Sequence, residues 1–179
     1  MRTNKRARII DEAIGIIEAR GVEALSFESL AEAARLSKSG ILYHFRSRHD
    51  LLLAINQHFV DQSEAELIAL AGAPAAEATA AQRLRAVVQH MGANANRAEL
   101  LMCLEADAHP EFRAQWARLD EAWMPSPESA STSPDATAAY LVQLMAYGLW
   151  AHDHLHHAAL SPAAREQLIE AVLASIPDQ

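Results

Sequence analysis

The stretch LSKSGILYHF, residues 36–45, holds a single formally charged side chain, Lys38, and sets Tyr43 beside His44 just behind Gly40. A surface helix is ordinarily covered by Glu and Lys. Two polar rings in their place mean either a buried helix or an outward face that meets something. The flanks narrow the choice. Ser26 is placed to cap a helix over FESLAEAAR, with Phe27, Leu30, Ala31 and Ala34 on one side. Only Leu36 and Ser37 separate it from a third, short helix running from about Lys38 to Phe45. Two helices joined so tightly give a helix-turn-helix outline. Leu30, Ala31, Leu36, Leu42 and Phe45 are expected to form its small core, with Leu42 turned inward.

Upstream, Ile10, Ala13, Ile14 and Ile17 fall on one helical face between Thr3 and Arg20, and Gly21 suits a C-terminal stop. Downstream, Ser47 opens SRHD with Asp50 three residues on, a capping-box variant that starts a long helix to about Leu70.

The second helix of a helix-turn-helix enters the major groove by its N-terminal end, while flanking groups hold phosphates. That geometry accounts for residues 37–44. Ser37, Lys38 and Ser39 offer hydroxyls and free backbone N–H groups at a helix start. Gly40 leaves room for close approach. Lys38 is the side chain best able to reach a guanine edge, and Ser39 reads bases only weakly. Tyr43 and His44 can donate to phosphate oxygens, which positions without specifying. Asp or Glu would meet the DNA's own charge.

Charge is distributed in the same sense. The net charge is −8, yet residues 1–50 carry nine Lys/Arg against seven Asp/Glu, and residues 51–179 carry six against sixteen. A basic head on an acidic body follows.

Residues 26–52, SFESLAEAARLSKSGILYHFRSRHDLL, resemble the TetR-type transcriptional regulators, and the likeness extends from about Thr3 to Phe59. The resemblance implies an all-α chain: a three-helix DNA-binding domain over 1–47 and a helical ligand-binding and dimerisation domain over 48–179. It implies contacts to double-stranded DNA from Ser26, Ser37, Lys38, Ser39, Gly40, Tyr43, His44 and Arg48. It also implies a homodimer and a small-molecule effector. One departure is that Leu42, not a second aromatic, precedes Tyr43. The arm residues Arg2, Lys5, Arg6 and Arg8 are either added DNA contacts or a solvated end.

Beyond the head, 71–80 reads as a connection, with helices over roughly 81–96, 98–108 and 110–123. The Pro- and Ser-rich stretch 124–134 reads as a mobile loop. Asp135 is expected to cap a helix to about His156, and Ser161 with Pro162 to open the last one, to about Ile176. About nine helices and no strand are expected. Leu141, Met145, Gly148 and His152, with Leu168 and Val172 on the last helix, are expected at a two-fold interface, or alternatively in the chain's own core. Met91, Met102, Cys103, Trp116, Trp123, Met124, Tyr147 and Trp150 line a pocket or fill the core. His90, Glu105, Asp107 and His109 are polar groups near them in sequence.

HDHLHH, residues 152–157, places His152 and His156 four apart, as it does Asp153 and His157, which is workable metal-ligand spacing. Imidazoles near a helix end also suit its macrodipole, so no metal is expected there. No catalytic triad, phosphate loop or cofactor motif is present, so neither enzyme nor cofactor is expected. The single cysteine, Cys103, and the lack of an apolar span or leader point to a cytoplasmic protein without a membrane partner. The competing reading is a small-molecule or metal-sensing protein whose head does not read DNA.

Overall fold

The computed structural model describes residues 5–93, 95–106 and 108–177. Among these, nine α-helices and two 3₁₀ turns occur and no strand. They form two compact units: residues 1–60 with 96–115, and 61–95 with 116–179.

In the first unit, α1 (Lys5–Arg20) buries Ile9, Ile10, Ala13, Ile16 and Ile17. It stops at Gly21, whose φ of +86° a side chain would resist. A 3₁₀ turn, Val22–Ala24, leads to α2 (Phe27–Ala34). Ser26 caps α2: its Oγ accepts from the Ser29 N–H at 3.0 Å, and the Ser29 Oγ accepts in turn from the Ser26 N–H. The turn after α2 is made by Arg35 in the left-handed region, φ 51°. The Leu36 N–H then reaches back to the Ala31 carbonyl at 3.1 Å, closing the helix end. α3 (Lys38–His44) follows at once, and α4 (Arg48–Ala71) begins after Ser47, whose Oγ accepts from the Asp50 N–H at 3.0 Å.

α6 (Arg97–Glu105) packs on α1. Glu18 of α1 accepts the Ala98 N–H at 2.7 Å, so a carboxylate sits where the helix dipole favours negative charge. The start of α7 (Pro110–Trp123) is tied to α4 through Asn56, whose amide donates to the Phe112 carbonyl at 3.3 Å and to Gln115 Oε1 at 2.6 Å.

Two expectations for the head change. Leu42 is 39% exposed, and Ile41 is the fully buried residue. Ile41 and Phe45 stand four apart and share the inward face, which turns Leu42 about 100° away from it. Leu36 and Ala31 are half-buried.

The second unit holds the end of α4, α5 (Ala80–Gly92), the end of α7, α8 (Pro134–Leu155) and α9 (Pro162–Ala174). Gly92 lets α9 come close: a Cβ there would stand 2.7 Å from Ile169 Cδ1. Arg165 of α9 donates from Nη1 to the Gly92 carbonyl at 3.0 Å and the Leu149 carbonyl at 2.9 Å, and its Nη2 pairs with Asp153 at 2.9 Å. Asp153 is held down to about 2 by hydrogen bonding to His152, by the Leu160 N–H and by Arg165. Ser161 caps α9 as expected, accepting from the Ala164 N–H. For α8 the cap is Ser133, not Asp135: Ser133 Oγ accepts from the Ala136 N–H at 3.1 Å and Pro134 takes the first helical position. Within 124–134, residues Pro127–Ser131 form a 3₁₀ turn capped by Ser126.

Candidate nucleic-acid interface and internal cavity

The N-terminal end of α3 is built from Ser37. Its Oγ accepts the Gly40 N–H at 3.1 Å and lies 3.1 Å from Ser39 Oγ. A Cβ at Gly40 would come to 3.2 Å of that Oγ, so the glycine keeps the cap undistorted. Ser37, Lys38, Ser39, Leu42 and Tyr43 are exposed, and His44 is half-buried. Tyr43 is 86% exposed, with its ring edge-on to His44 at 5.2 Å. The rings at the centre of LSKSGILYHF are therefore outside, while the helix is anchored by Ile41 and Phe45.

Lys38 forms an exposed ion pair with Glu28 of α2, and its ammonium holds that carboxyl below the ordinary carboxylate range. Such exposed pairs are screened by solvent and contribute little, so Lys38 remains available to another partner.

Arg48, expected at the DNA, makes hydrogen bonds within the head. Its Nε donates to the Leu25 carbonyl at 2.9 Å and its Nη2 to the Val22 carbonyl at 2.7 Å. It tethers α4 to the segment entering α2: the Leu25 carbonyl, between helices, takes Arg48 as its donor, and the Val22 carbonyl, which already accepts the Leu25 N–H at 3.1 Å, gains a second one. Arg46, which sequence reasoning passed over, is exposed at the corner between α3 and α4. Both arginines of FRSR are basic, and spacing alone does not separate the exposed one from the one bonded within the head.

In the arm, Arg2 lies outside the described residues, and Lys5 opens α1. Arg6 stands over the Phe45 ring at 5.0 Å, and Arg8 donates to the Ala34 carbonyl at 2.8 Å, closing the end of α2. Both are joined to the head itself.

In the second unit a cavity of about 170 Å³ is lined by Leu84, Trp123, Met124, Ala139 and Ile176, with Arg83 at its wall. Trp123 is buried, and its indole N–H has no acceptor among the described residues. The Sδ of Met124 accepts from Tyr147 Oη at 3.3 Å and Gln143 Nε2 at 3.4 Å. Of the residues expected to line a pocket, Trp123 and Met124 line this cavity. Met91 is buried, and Met102 is wholly buried in the other unit. Cys103, Trp116, Tyr147 and Trp150 are half-buried away from the lining. Of the polar set, His90 pairs with Glu66 at 2.9 Å, Glu105 and His109 belong to the first unit, and Asp107 lies outside the described residues. A carboxylate that sequence reading missed is Asp120, one turn before Trp123 and Met124 on the same face of α7. Burial, helped by neighbouring Glu121, pushes it up to about 6.

On α8, the buried residues are Ala139, Val142, Gln143, Ala146 and Leu149. The opposite face exposes Leu141 (53%), Leu144, Met145, Gly148 and Leu155, with His152 half-buried among them. A Cβ on Gly148 would meet nothing within 4 Å. Leu168 on α9 is exposed as well, whereas Val172 is buried within the unit. His152 and His156 stack at 5.0 Å. No helix among the described residues is long and apolar enough to cross a membrane.

Two family models match the chain. One, described as bacterial regulatory proteins of the tetR family, matches residues 9–55. The other, described as the tetracyclin repressor-like C-terminal domain, matches residues 81–177, more than half of the chain. No curated protein matches. Among solved structures, the multidrug binding protein EbrR complexed with malachite green is 24% identical, with TM-score 0.65 and coverage of 97% of this chain and 98% of that one. A transcriptional regulator of Saccharomonospora viridis in complex with choline is 19% identical, with TM-score 0.68 and coverage of 93% and 92%. The superantigen PfiT is 16% identical, with TM-score 0.70 and coverage of 98% and 97%. These likenesses concern the fold. Together with the exposed, serine-capped α3 of the head, the two family matches establish that the chain belongs to the TetR family of DNA-binding transcriptional regulators.

Proposed function

We propose that the chain is a ligand-relieved repressor that binds a pseudo-palindromic operator as a homodimer, with residues 1–47 reading DNA and 48–179 binding effector and dimerising. The observation that carries the reading is the outer face of α3, where Lys38, Ser39 and Tyr43 are exposed together beside a capped helix start. Lys38 and Ser39 face base edges, Gly40 admits the backbone, and Ser26, Ser37, Tyr43 and His44 hold phosphates. Arg46 takes the phosphate role once expected of Arg48. Two such helices would enter successive major grooves roughly 34–36 Å apart. In this role the chain performs no catalytic chemistry and works in the cytoplasm, where its DNA is.

The test is binding to duplex DNA from the protein's own upstream region and from neighbouring promoters, against a scrambled duplex, across a salt series. Tight, sequence-dependent binding with a steep salt slope is expected. Weak binding that is equal on every duplex would mean that the head does not read DNA. Lys38→Ala is expected to cost about 1–3 kcal/mol and relax specificity at one base pair. Tyr43→Phe is expected to weaken specific and non-specific duplexes alike; a loss confined to one base pair would contradict its phosphate role.

For dimerisation, Leu141, Met145, Gly148 and His152 recur at steps of four, three and four along the exposed face of α8, the spacing of a helix seam. Deleting residues 160–179 is a poor test, because it also removes Arg165 and the buried Val172 and Ile176. The double substitution Leu141→Glu, Met145→Glu touches only exposed positions. It is expected to give folded monomers by sedimentation, with operator binding weakened at least tenfold; a surviving dimer would move the interface elsewhere.

The effector is proposed to be a small cation or amine seated against Trp123, with Asp120 as its counter-charge. An aromatic wall and a partly buried carboxylate suit that chemistry, and choline, bound in the S. viridis relative, is of this kind. Its binding would bias the protein toward a conformer with weaker DNA affinity, a coupling of typically about 1–3 kcal/mol.

A further inference from the structure

The first unit holds a second group of donor atoms, away from the outer face of α3. His49 lies in the first turn of α4. His109 immediately precedes α7, where its carbonyl accepts the Phe112 N–H at 3.0 Å and the Arg113 N–H at 3.2 Å. Glu111 is in the first turn of α7. One ligand atom from each of the three lies within 4.8 Å of the others, and among the described residues this is the one cluster that does so. His49 Nε2 is 2.6 Å from Glu111 Oε1.

The cluster stands on a fixed floor. The Phe112 ring, fully buried, is 5.4 Å from the His49 ring and 4.7 Å from the His109 ring. Behind it, Asn56 locks α4 to α7 by its bonds to Phe112 and Gln115. The helices that carry the three donors are thus held in place before any ligand arrives. His49 and Glu111 are each nearly half exposed, which leaves a path from solvent.

We propose that His49, His109 and Glu111 form a three-ligand site for a divalent transition-metal ion of the zinc type, with water completing the coordination. Two imidazoles and one carboxylate suit zinc, cobalt or nickel, whereas magnesium and calcium prefer sites made of oxygen alone. With metal–ligand bonds of about 2.0–2.2 Å, donors on a tetrahedral ion stand roughly 3.3–3.5 Å apart. The His49–Glu111 pair would open by under about 1 Å and the widest separation would close by about 1.5 Å, changes within reach of side-chain torsions. A plain hydrogen bond between His49 and Glu111 would not call for His109 to bring a ring nitrogen to the same point. The ion would join the first turn of α4, where Arg48 holds the Val22 and Leu25 carbonyls, to the first turn of α7. The site does not depend on whether the head reads DNA.

The test uses the full chain, stripped of metal. Cobalt(II) is titrated and followed by its visible absorption, and zinc is titrated against a chromogenic chelator. One ion per chain is expected, with the cobalt spectrum of nitrogen and oxygen ligands and no thiolate band from Cys103. Loss of groups that merely orient a ligand weakens metal sites about 10–100-fold, so His49→Gln, His109→Gln and Glu111→Gln should each weaken binding by about 100-fold or more. The double variant His156→Gln, His157→Gln, at the end of α8, should bind as the parent does. Because His49 and Glu111 are half exposed, their variants decide the matter if His109→Gln fails to fold. Absence of saturable binding, or binding that survives His49→Gln and Glu111→Gln, would overturn the site.

Discussion

Arg165→Met is expected to lower the stability of the chain by about 1.5–3 kcal/mol, the usual worth of hydrogen bonds made by a charged group. The side chain is partly buried; its Nη1 donates to two carbonyls and its Nη2 forms an ion pair, which ties α9 to two other helical segments. The Gly92 carbonyl lies at the C-terminal end of α5, where helical carbonyls have no partner within the helix. The Leu149 carbonyl receives a second donor, and Asp153 loses the Arg165 guanidinium. Methionine keeps most of the apolar stem and deletes the donors, so packing changes little and the loss reports the polar contacts. Arg165→Lys should recover less than half, since an ammonium cannot satisfy three acceptors in the fork's geometry. Urea unfolding of the full chain measures both. Combining Arg165→Met with Asp153→Asn should cost less than the two single losses added, because the second change removes the carboxylate that the first leaves unpaired. A loss under about 1 kcal/mol for Arg165→Met would mean that water replaces the fork, and that apolar contacts such as Gly92 against Ile169 hold α9 in place.

The outline of the head was legible because its signals are local. Ser26, Ser37 and Ser47 cap helices through bonds three residues long, Gly21 takes a positive φ, and the tight turn at Arg35 leaves only one way to continue. The family likeness supplied the remainder of the fold. Leu42 was misplaced because a seven-residue helix has two turns, and either Ile41 or Leu42 can be drawn beneath it; only the position of Phe45 decides. Asp135 lost the cap to Ser133 for a related reason: Pro134 starts the helix, so the residue before it is the cap.

Sites made by distant residues were much less legible. Arg48 answers to carbonyls more than twenty residues away, and no spacing rule reveals them. The pocket residues were chosen as soft and aromatic side chains, a property that buried core residues share, so Met91 and Met102 were not separable from Trp123 and Met124. Asp120 was passed over because an acid on a helix is usually solvated. His49 and His109 stand sixty residues apart in sequence, whereas HDHLHH drew attention by being contiguous. Proximity along the chain favoured the cluster that has its rings on one short segment, and proximity in space favours the one that joins two helices.

Asp120→Asn is expected to stabilise the chain at pH 7 by about 2–3 kcal/mol, an unusual sign for a change at a buried position. Burial raises this carboxyl from 3.8 to about 6, and neighbouring Glu121 adds to the rise. The folded state therefore holds its proton more tightly than the unfolded chain does, so stability falls as pH rises from about 4 to about 6. Above that window the fold carries a desolvated carboxylate, and a tenfold difference in proton affinity between folded and unfolded chain is worth about 1.4 kcal/mol. Asparagine removes the charge at nearly constant volume. The gain should be full at pH 7 and vanish below about pH 4, where aspartic acid is neutral in both states; urea midpoints on either side of the window measure it. Glu121→Gln should give a smaller gain, since it acts on Asp120 through charge alone. A stabilising substitution one helical turn before Trp123 and Met124, which line the cavity, raises the question of what the acid is for. Residues kept at a cost to stability are commonly tied to function, and a cation seated against Trp123 would supply the missing counter-charge. On that reading Asp120→Asn yields a more stable protein whose DNA binding no longer responds to a cationic effector. Equal stability of the two proteins at pH 7 would mean that the carboxylate is already paired in solution, and the proposed effector chemistry would lose its main support.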